Sequence, residues 1–181
     1  RLVSRDFLIR AYYVEPDFKT ARGGTGTVAV GDFISFRDPL RGIGFPIENE
    51  ATTERLLTGY DIDPESMQRG RNGDLRMGDE FGPRILHFDR DGVLLEPPFA
   101  VPGGLRSPNN PFLGADPATH PNSRGIEAMA ISPNGRYLYA ALEGATVADA
   151  GSVRRLVFEF DIRARRFTER SWSYRTEAAP N

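Results

Sequence analysis

The chain has 181 residues, enough for one domain with a substantial core, and its 23 basic and 25 acidic residues give a formal net charge of −2. Because the basic residues are scattered, the sequence predicts no nucleic-acid partner, and no apolar window is long enough for a membrane-spanning helix. Cysteine is absent, which excludes disulfides, thiol catalysis and zinc–thiolate sites.

The first β-rich runs are residues 7–14 and 27–36, joined by a glycine-rich segment at 19–26. Those glycines resemble a phosphate loop, but no Gly-Lys-Ser/Thr follows them and no helix opens there, so we expect a hairpin loop. The chain begins with arginine rather than methionine, so its ends look cut, and the absence of a signal peptide before the first run is uninformative. We therefore expect a fragment of a longer protein.

The next part of the chain contains a repeat, because residues 65–77 recur as residues 127–139 at a constant offset of 62. Each copy places an Asn-Gly pair between two apolar runs, at 72–73 and at 134–135. This pair is the strongest short-range signal for a β-hairpin, since both residues tolerate a positive φ. Each copy therefore predicts an antiparallel unit that turns at its Asn-Gly pair.

The two units are expected to span about 60–96 and 125–172. Their predicted strands are 65–69, 74–79, 84–89 and 93–95 in the first unit, and 126–131, 136–141, 153–161 and 166–174 in the second. A repeated antiparallel unit of this size is typical of a β-propeller blade. We predict an all-β, β-propeller-like fold of antiparallel four-stranded blades, with residues 1–181 forming part of a single domain that holds an incomplete set of blades.

Residues 97–123 separate the two units and hold seven of the 14 prolines. Proline cannot donate to a sheet ladder, so we expect a long ordered loop across one face of the molecule. Loops of this length inside a compact domain tend to be functional. We therefore expect the loop on the same face as Glu65 and Glu127.

Acidic residues lie at the ends of the predicted strands, and the repeat places Glu65 and Glu127 at the same point of both units. Residues at equivalent points of successive blades converge on the propeller axis. Converging carboxylates cannot all stay ionised without a cation, which suggests an oxygen-coordinated hard metal, most plausibly Ca²⁺. The candidate metal ligands are Glu65, Asp79, Glu80 and Glu127. Asp79 and Glu80 are adjacent and face opposite ways on an extended strand, so we expect only one of them in the channel.

The alternative is that these acids only cap turns, as Asp63 before Pro64 would do. Signatures of other mechanisms are missing, since the sequence has neither a Gly-x-Ser-x-Gly elbow nor a His-Glu-x-x-His pair. Ser66 and Ser123 lack a visible base, which argues against a serine nucleophile. His87 is expected to be a structural strand residue.

Several blocks together resemble the phytase-like domain, whose members are called "esterase-like activity of phytase" proteins. The blocks are residues 59–67, 78–83, 86–89, 107–111, 123–135, 142–144, 155–161 and 174–177. They occur in order over most of the chain. The chain departs from the family pattern at Arg76, where an aromatic residue is favoured, and at Ala128, where glycine is favoured. An arginine in that strand must reach solvent or pair with an acid.

The resemblance implies a β-propeller-like fold, export from a bacterial cell to the periplasm or the medium, and hydrolysis of ester or phosphoester bonds. The leading hypothesis is an exported, metal-assisted hydrolase of a small-molecule ester or phosphoester. Glu65, Glu127 and Arg124 are its candidate catalytic residues, and Arg84 and Arg124 are candidates to contact substrate oxygens, since guanidinium suits phosphate geometry. The alternative is a non-catalytic, calcium-stabilised propeller that binds a ligand or a protein.

Overall fold

The computed structural model describes residues 4–110 and 113–177, and this part of the chain is built from antiparallel β-sheets with almost no helix. Its strands are β1 (Arg10–Asp17), β2 (Thr27–Ser35), β3 (Pro64–Arg69), β4 (Leu75–Asp79), β5 (Arg84–Phe88), β6 (Phe99–Ala100), β7 (Ile126–Ile131), β8 (Tyr137–Leu142), β9 (Arg154–Asp161) and β10 (Arg166–Arg175). A single 3₁₀ turn at Val147–Asp149 is the one helical element in the described part of the chain after β1. The all-β class that the sequence predicts is confirmed.

Strands β1 and β2 form a separate two-stranded hairpin. The glycine-rich segment closes this hairpin, with Gly26 donating to the carbonyl of Asp17 at 2.8 Å. The first strand begins three residues later than the sequence predicts, because Leu8 and Ile9 bind instead to the segment around Leu57 and Thr58.

The first four-stranded sheet has the order β3-β4-β5-β6. Strands β3 and β4 are joined by the predicted Asn-Gly turn, in which Gly73 adopts a φ of 90°. Every residue of β4 and β5 is buried, so both faces of this sheet are covered. Arg76 is tolerated there because its guanidinium pairs with Asp74 at 3.2 Å.

The fourth strand of this sheet differs from the prediction. Residues 93–95 form only isolated bridges, in which Val93 pairs with Arg37 and Leu94 with Phe88. The strand that completes the sheet is β6, inside the segment predicted to be wholly irregular. The physical reason is that the Phe99 ring packs on Phe160 with centroids 4.9 Å apart, which holds this short stretch against β5.

The second four-stranded sheet has the order β10-β9-β8-β7, so its strands follow the chain as an antiparallel meander, as in the first sheet. Its bounds match the predicted strands within one residue at each end. In the Asn-Gly turn between β7 and β8, Gly135 has a φ of 71°, which is positive like that of Gly73 in the first sheet.

The first strands of the two sheets, β3 and β7, lie side by side. The Gln68 side-chain amide donates to the Met129 carbonyl at 2.9 Å, and Arg71 donates to the Pro133 carbonyl at 3.1 Å. One apolar cluster joins β4 and β5 to the N-terminal segment, and a second joins Ile85 and Val101 to the second sheet. This packing fixes the ends of β3 and β7 next to each other. No helix in the described residues is long and apolar enough to cross a membrane.

Candidate functional site: a carboxylate cluster between two sheets

Five carboxylates lie at one end of the two four-stranded sheets. They are Asp63, Glu65, Glu80, Glu127 and Glu143. The positions of the strands explain why these acids converge. Asp63 and Glu65 lie at the start of β3, and Glu127 is the second residue of β7. Glu80 and Glu143 come directly after β4 and β8. In an antiparallel hairpin the start of one strand lies beside the end of its partner. Adjacent β3–β4 and β7–β8 hairpins therefore bring all five to one place.

Glu80 is the centre of this carboxylate cluster. It belongs to two groups, one with Asp63 and Glu65 and the other with Glu127 and Glu143. In each group, one oxygen from every residue lies within 4.8 Å of the others. Calcium–oxygen distances of about 2.3–2.6 Å place two ligands of one ion no more than roughly 5 Å apart, so either group could share a cation.

The electrostatics of the cluster are unfavourable for full ionisation. Glu80 is only 5% exposed, and burial, followed by the charges of Asp63 and Glu65, raises its pKa to about 7. Burial is also the main cause that raises the pKa of Asp63 and of Glu65. For Glu65 the charges of neighbouring acids, including Glu127, act in the same direction. The cluster therefore holds charge that a proton or a metal ion would neutralise.

Ser123 lies against the centre of the cluster, and its side chain acts to lower the Glu80 pKa, which partly offsets the rise caused by burial. Its backbone has a φ of 47°, in the left-handed region that non-glycine residues rarely adopt. The following residues hold this conformation, because Gly125 packs so closely on the Glu80 backbone that a Cβ would lie 2.4 Å from the Glu80 carbonyl oxygen. Strain of this kind is concentrated at functional sites.

Arg124 stands at the rim of the cluster, where its half-exposed guanidinium pairs with Glu143. The buried His120 ring reaches the Arg124 carbonyl through Nε2 at 2.5 Å, which implies that Nε2 carries the proton. The backbone of Arg124 is therefore anchored, while its side chain faces solvent.

The proline-rich loop binds the turn that carries Glu80. Ser107 donates to the Phe81 carbonyl at 2.6 Å, and Asn110 donates to the Gly82 carbonyl at 3.0 Å. Together with Ser123, these contacts place the described part of the loop at the end of the sheets where Glu65 and Glu127 lie. This is the face that the sequence predicts for the loop.

Two of the predicted site residues lie outside the cluster. Asp79 is fully buried, accepts a hydrogen bond from Arg84 at 2.7 Å, and also accepts from the backbone of Asp63 at 2.8 Å. The Arg84 guanidinium stacks over the Phe45 ring, 4.5 Å from its centroid. Asp79 and Arg84 thus form a buried ion pair that holds the turn between β4 and β5. Of the adjacent acids Asp79 and Glu80, only the latter joins the cluster.

The cluster brings together three of the four predicted metal ligands, Glu65, Glu80 and Glu127, with Arg124 at their edge. Asp63 and Glu143 also belong to the cluster, although the sequence does not predict them as ligands. A signal for Glu143 exists, because it follows β8 as Glu80 follows β4. Ser123 had no sequence signal, since its partner Glu80 is 43 residues away in the chain.

The donors of the cluster are all carboxylate oxygens, which suit a hard cation such as Ca²⁺ or Mg²⁺ and not a thiolate-seeking metal. Arg124 already pairs with Glu143, so it balances only one of the five carboxylates. The residues therefore fit a divalent cation by charge, by donor type and by spacing.

Comparison with known proteins gives one family and one distant relative. The model of the Phytase-like family, described as "esterase-like activity of phytase", matches residues 6–181. An "Uncharacterized secreted protein" of Arthroderma benhamiae is 26% identical over 128 residues, an alignment that covers 56% of this chain and 24% of the relative. The match thus spans about a quarter of that relative's length. No solved structure matches the chain.

Proposed function

The chain belongs to the phytase-like family, and from this premise we propose that it is part of an exported hydrolase that acts on ester or phosphoester bonds with the help of Ca²⁺ held by the carboxylate cluster. The family suggests a hydrolase, and the relative named above is a secreted protein. Export of this chain, its calcium and its substrate are parts of the proposal.

The observation that carries the proposal is the convergence of five carboxylates around the buried Glu80. A group of acids that only capped turns would use their oxygens on backbone N–H groups, as Asp79 does with Phe81 and Gly82. Glu80 instead faces other acids and a serine. Clustered, perturbed carboxylates in a concave region are typical of functional sites.

Glu80, with Glu65 and Glu127, would hold Ca²⁺, which would supply Lewis-acid polarisation of the phosphoryl or carbonyl oxygen of the substrate. Arg124, which is exposed and lies at the rim, is placed to contact an anionic oxygen of the substrate. The polar side chains of Ser123 and Glu80 lie beside the same space, so they can orient a water molecule. Arg84 takes no part in substrate binding in this proposal, because Asp79 holds it in the interior.

The proposal includes the propeller arrangement. The proposal is supported by two successive four-stranded meanders with adjacent first strands and a 62-residue repeat, which is the pattern expected of neighbouring blades. In such an arrangement, equivalent residues such as Glu65 and Glu127 approach a common axis. Both lie within 4.8 Å of Glu80, in agreement with this geometry.

The test is a calcium titration by calorimetry, combined with a turnover screen on phosphomonoesters and carboxyl esters with and without chelator. We expect calcium binding by the wild-type chain and turnover that chelator abolishes. Glu127→Gln should lower the calcium affinity about tenfold or more, because it removes one anionic ligand. Glu159→Gln is the matched control and should bind calcium as the wild type does, since Glu159 lies on β9 and accepts from Tyr139 and Thr168.

Absence of calcium binding would contradict the metal-assisted hydrolase. Calcium binding without turnover on any ester would favour the alternative, a calcium-stabilised binding module. Equal calcium affinities for the two variants would show that the ion binds elsewhere.

A further inference from the structure

A groove with an apolar floor runs away from the carboxylate cluster. It lies between β1 and β3, has a volume of about 330 Å³ and includes Glu65 at one end. Its floor is made of the buried residues Ile9, Phe36 and Met77. The groove therefore offers an apolar surface that begins beside the candidate site.

The walls of the groove are exposed side chains. Met67 is 45% exposed and Tyr12 is 51% exposed. The Tyr12 ring packs on Phe33 with centroids 5.4 Å apart, and this contact supports the wall from behind. Large apolar side chains around a concave surface beside polar groups are the usual lining of a small-molecule site.

A smaller cavity of about 140 Å³ continues the groove and shares Tyr12 and Met67 with it. Arg69 and Arg90 border this far end. Neither arginine forms an ion pair within the parts of the chain that the structure describes. The apolar section thus ends at two cations.

The strand β3 explains this layout, because alternate residues of a strand face the same side. Its exposed residues are Glu65, Met67 and Arg69, a carboxylate, a thioether and a guanidinium in order. Four residues of extended strand span about 13 Å. One face of one strand therefore runs from the carboxylate cluster, past an apolar section, to a basic end.

We propose that this groove binds the apolar alkyl or aryl group of the substrate, so that the preferred substrates are monoesters with one anionic or ester head and an apolar body. The inference rests on the proposed function for the head, which the cation at the carboxylate cluster would hold. A polyanionic substrate does not suit the groove, because its floor is apolar and Glu65 at its start repels a second anionic group. Arg10 also lines the groove, but its guanidinium stacks over the Phe33 ring, 4.4 Å from the centroid. The two arginines limit the length of the apolar body.

The occupant is a small amphiphile because of its charge complementarity with the site. A head with negative charge matches the cation-loaded cluster, and the groove that starts there offers an apolar floor to the rest of the ligand. A second copy of the chain or a further protein segment would instead cover the groove against all small ligands. Those occupants are outcomes of the test.

The test uses calorimetric titrations of the calcium-loaded chain with methyl phosphate, butyl phosphate and octyl phosphate. Each buried methylene increases affinity by roughly fourfold. We expect octyl phosphate to bind at least about tenfold more tightly than methyl phosphate, with butyl phosphate between them. Tyr12→Ala and Met67→Ser should each reduce the octyl-to-methyl ratio of affinities to less than about threefold.

Tyr174→Ala is the matched control, because Tyr174 is an exposed aromatic residue on β10, 64% exposed and outside the groove. This variant should keep the whole ratio. Equal affinities of the wild type for octyl and methyl phosphate would overturn the inference, as would an unchanged ratio in Tyr12→Ala.

The same titrations in chelator separate this inference from the proposed function. In one outcome, the chain binds no calcium and still binds octyl phosphate more tightly than methyl phosphate, with a preference that Tyr12→Ala removes. That result would support the groove and contradict the metal-assisted hydrolase. If calcium binds and the alkyl chain adds nothing, the reverse holds. Absence of octyl phosphate binding under both conditions shows that the groove is closed to small ligands.

Discussion

At the scale of single residues, the site depends on how Glu80 differs from its neighbour Asp79. Both are nearly or fully buried, yet Asp79 has an arginine and several backbone donors, whereas Glu80 has four other carboxylates nearby. The buried ion pair of Asp79 with Arg84 is structural. Glu80, a buried acid among other acids, must bind a proton or a cation.

Replacing Glu80 with Gln should change the pH dependence of stability. In chelator, the folded protein holds the Glu80 proton up to a pKa of about 7, whereas an ordinary glutamate releases it near 4.5. The free energy of unfolding of the wild type should therefore fall as the pH rises from about 4.5 to about 7, by about 1–3 kcal/mol. Glu80→Gln should lack this decrease when unfolding by urea is followed at pH 4.5 and pH 8.

The control for that experiment is Asp79→Asn, which leaves the Arg84 charge unpaired in the interior. It should destabilise the fold by about 3–5 kcal/mol at both pH values, because a buried pair loses one partner. A wild-type decrease that persists in Glu80→Gln would mean that another acid of the cluster carries the proton.

Residue-level roles could be predicted from the sequence only where a pattern repeats. Glu65 and Glu127 occupy the same point of both copies, and this places them together without knowledge of the fold. Strand alternation separates Asp79 from Glu80 but does not say which one faces inward. The position of Arg84 beside a motif acid predicts a contact with substrate, but in the structure Arg84 pairs with Asp79 and stacks over Phe45 in the interior.

At the scale of strands and turns, the site depends on how β7 begins. Gly125 precedes this strand and packs on the Glu80 backbone, so the chain from Ser123 to Glu127 passes directly over the centre of the cluster. The Asn-Gly turns determine where β3 and β7 end, and this contact determines where β7 starts.

Gly125→Ala should therefore disturb the cluster through the backbone. Its Cβ would lie 2.4 Å from the Glu80 carbonyl oxygen, and relief of that clash requires the start of β7 to move. We expect a loss of about 1–3 kcal/mol in unfolding free energy and a weaker calcium affinity. Gly31→Ala is the control, since its Cβ would make only ordinary contacts, 3.5 Å from the Tyr13 carbonyl oxygen. Wild-type calcium affinity in Gly125→Ala would show that the cluster does not depend on this contact.

The strands themselves were largely predictable, because alternating apolar residues and Asn-Gly pairs are local signals. The exceptions are β1 and β6, where contacts distant in sequence decide the outcome. Ile9 is held by the segment near Leu57, and Phe99 is held by Phe160 of the other sheet. Local patterns contain no information about such partners.

At the scale of the whole molecule, the carboxylate cluster joins the two four-stranded sheets. Asp63, Glu65 and Glu80 come from the first sheet, and Glu127 and Glu143 come from the second. A cation bound there would link both sheets, and a ligand that binds only the folded state stabilises it by mass action.

Calcium should therefore raise the melting temperature of the chain in a concentration-dependent way. At a hundredfold excess over the dissociation constant, the gain in unfolding free energy is about 2.7 kcal/mol. Differential scanning calorimetry with calcium and with chelator measures this gain, and Glu127→Gln should shift the response to higher calcium concentrations. An identical melting temperature in calcium and chelator would contradict a cation that links the sheets.

The joint between the sheets also bears on how such a chain could have arisen. Gln68 and Arg71 of the first copy donate to the carbonyls of Met129 and Pro133 of the second, 61 and 62 residues further on, so each bond joins nearly equivalent positions of the repeat. An ancestral unit that acquired these two side chains could bind a tandem copy of itself without any new strand pairing. Gene duplication would then have produced a second sheet, and with it a second glutamate beside Glu80, in a single event.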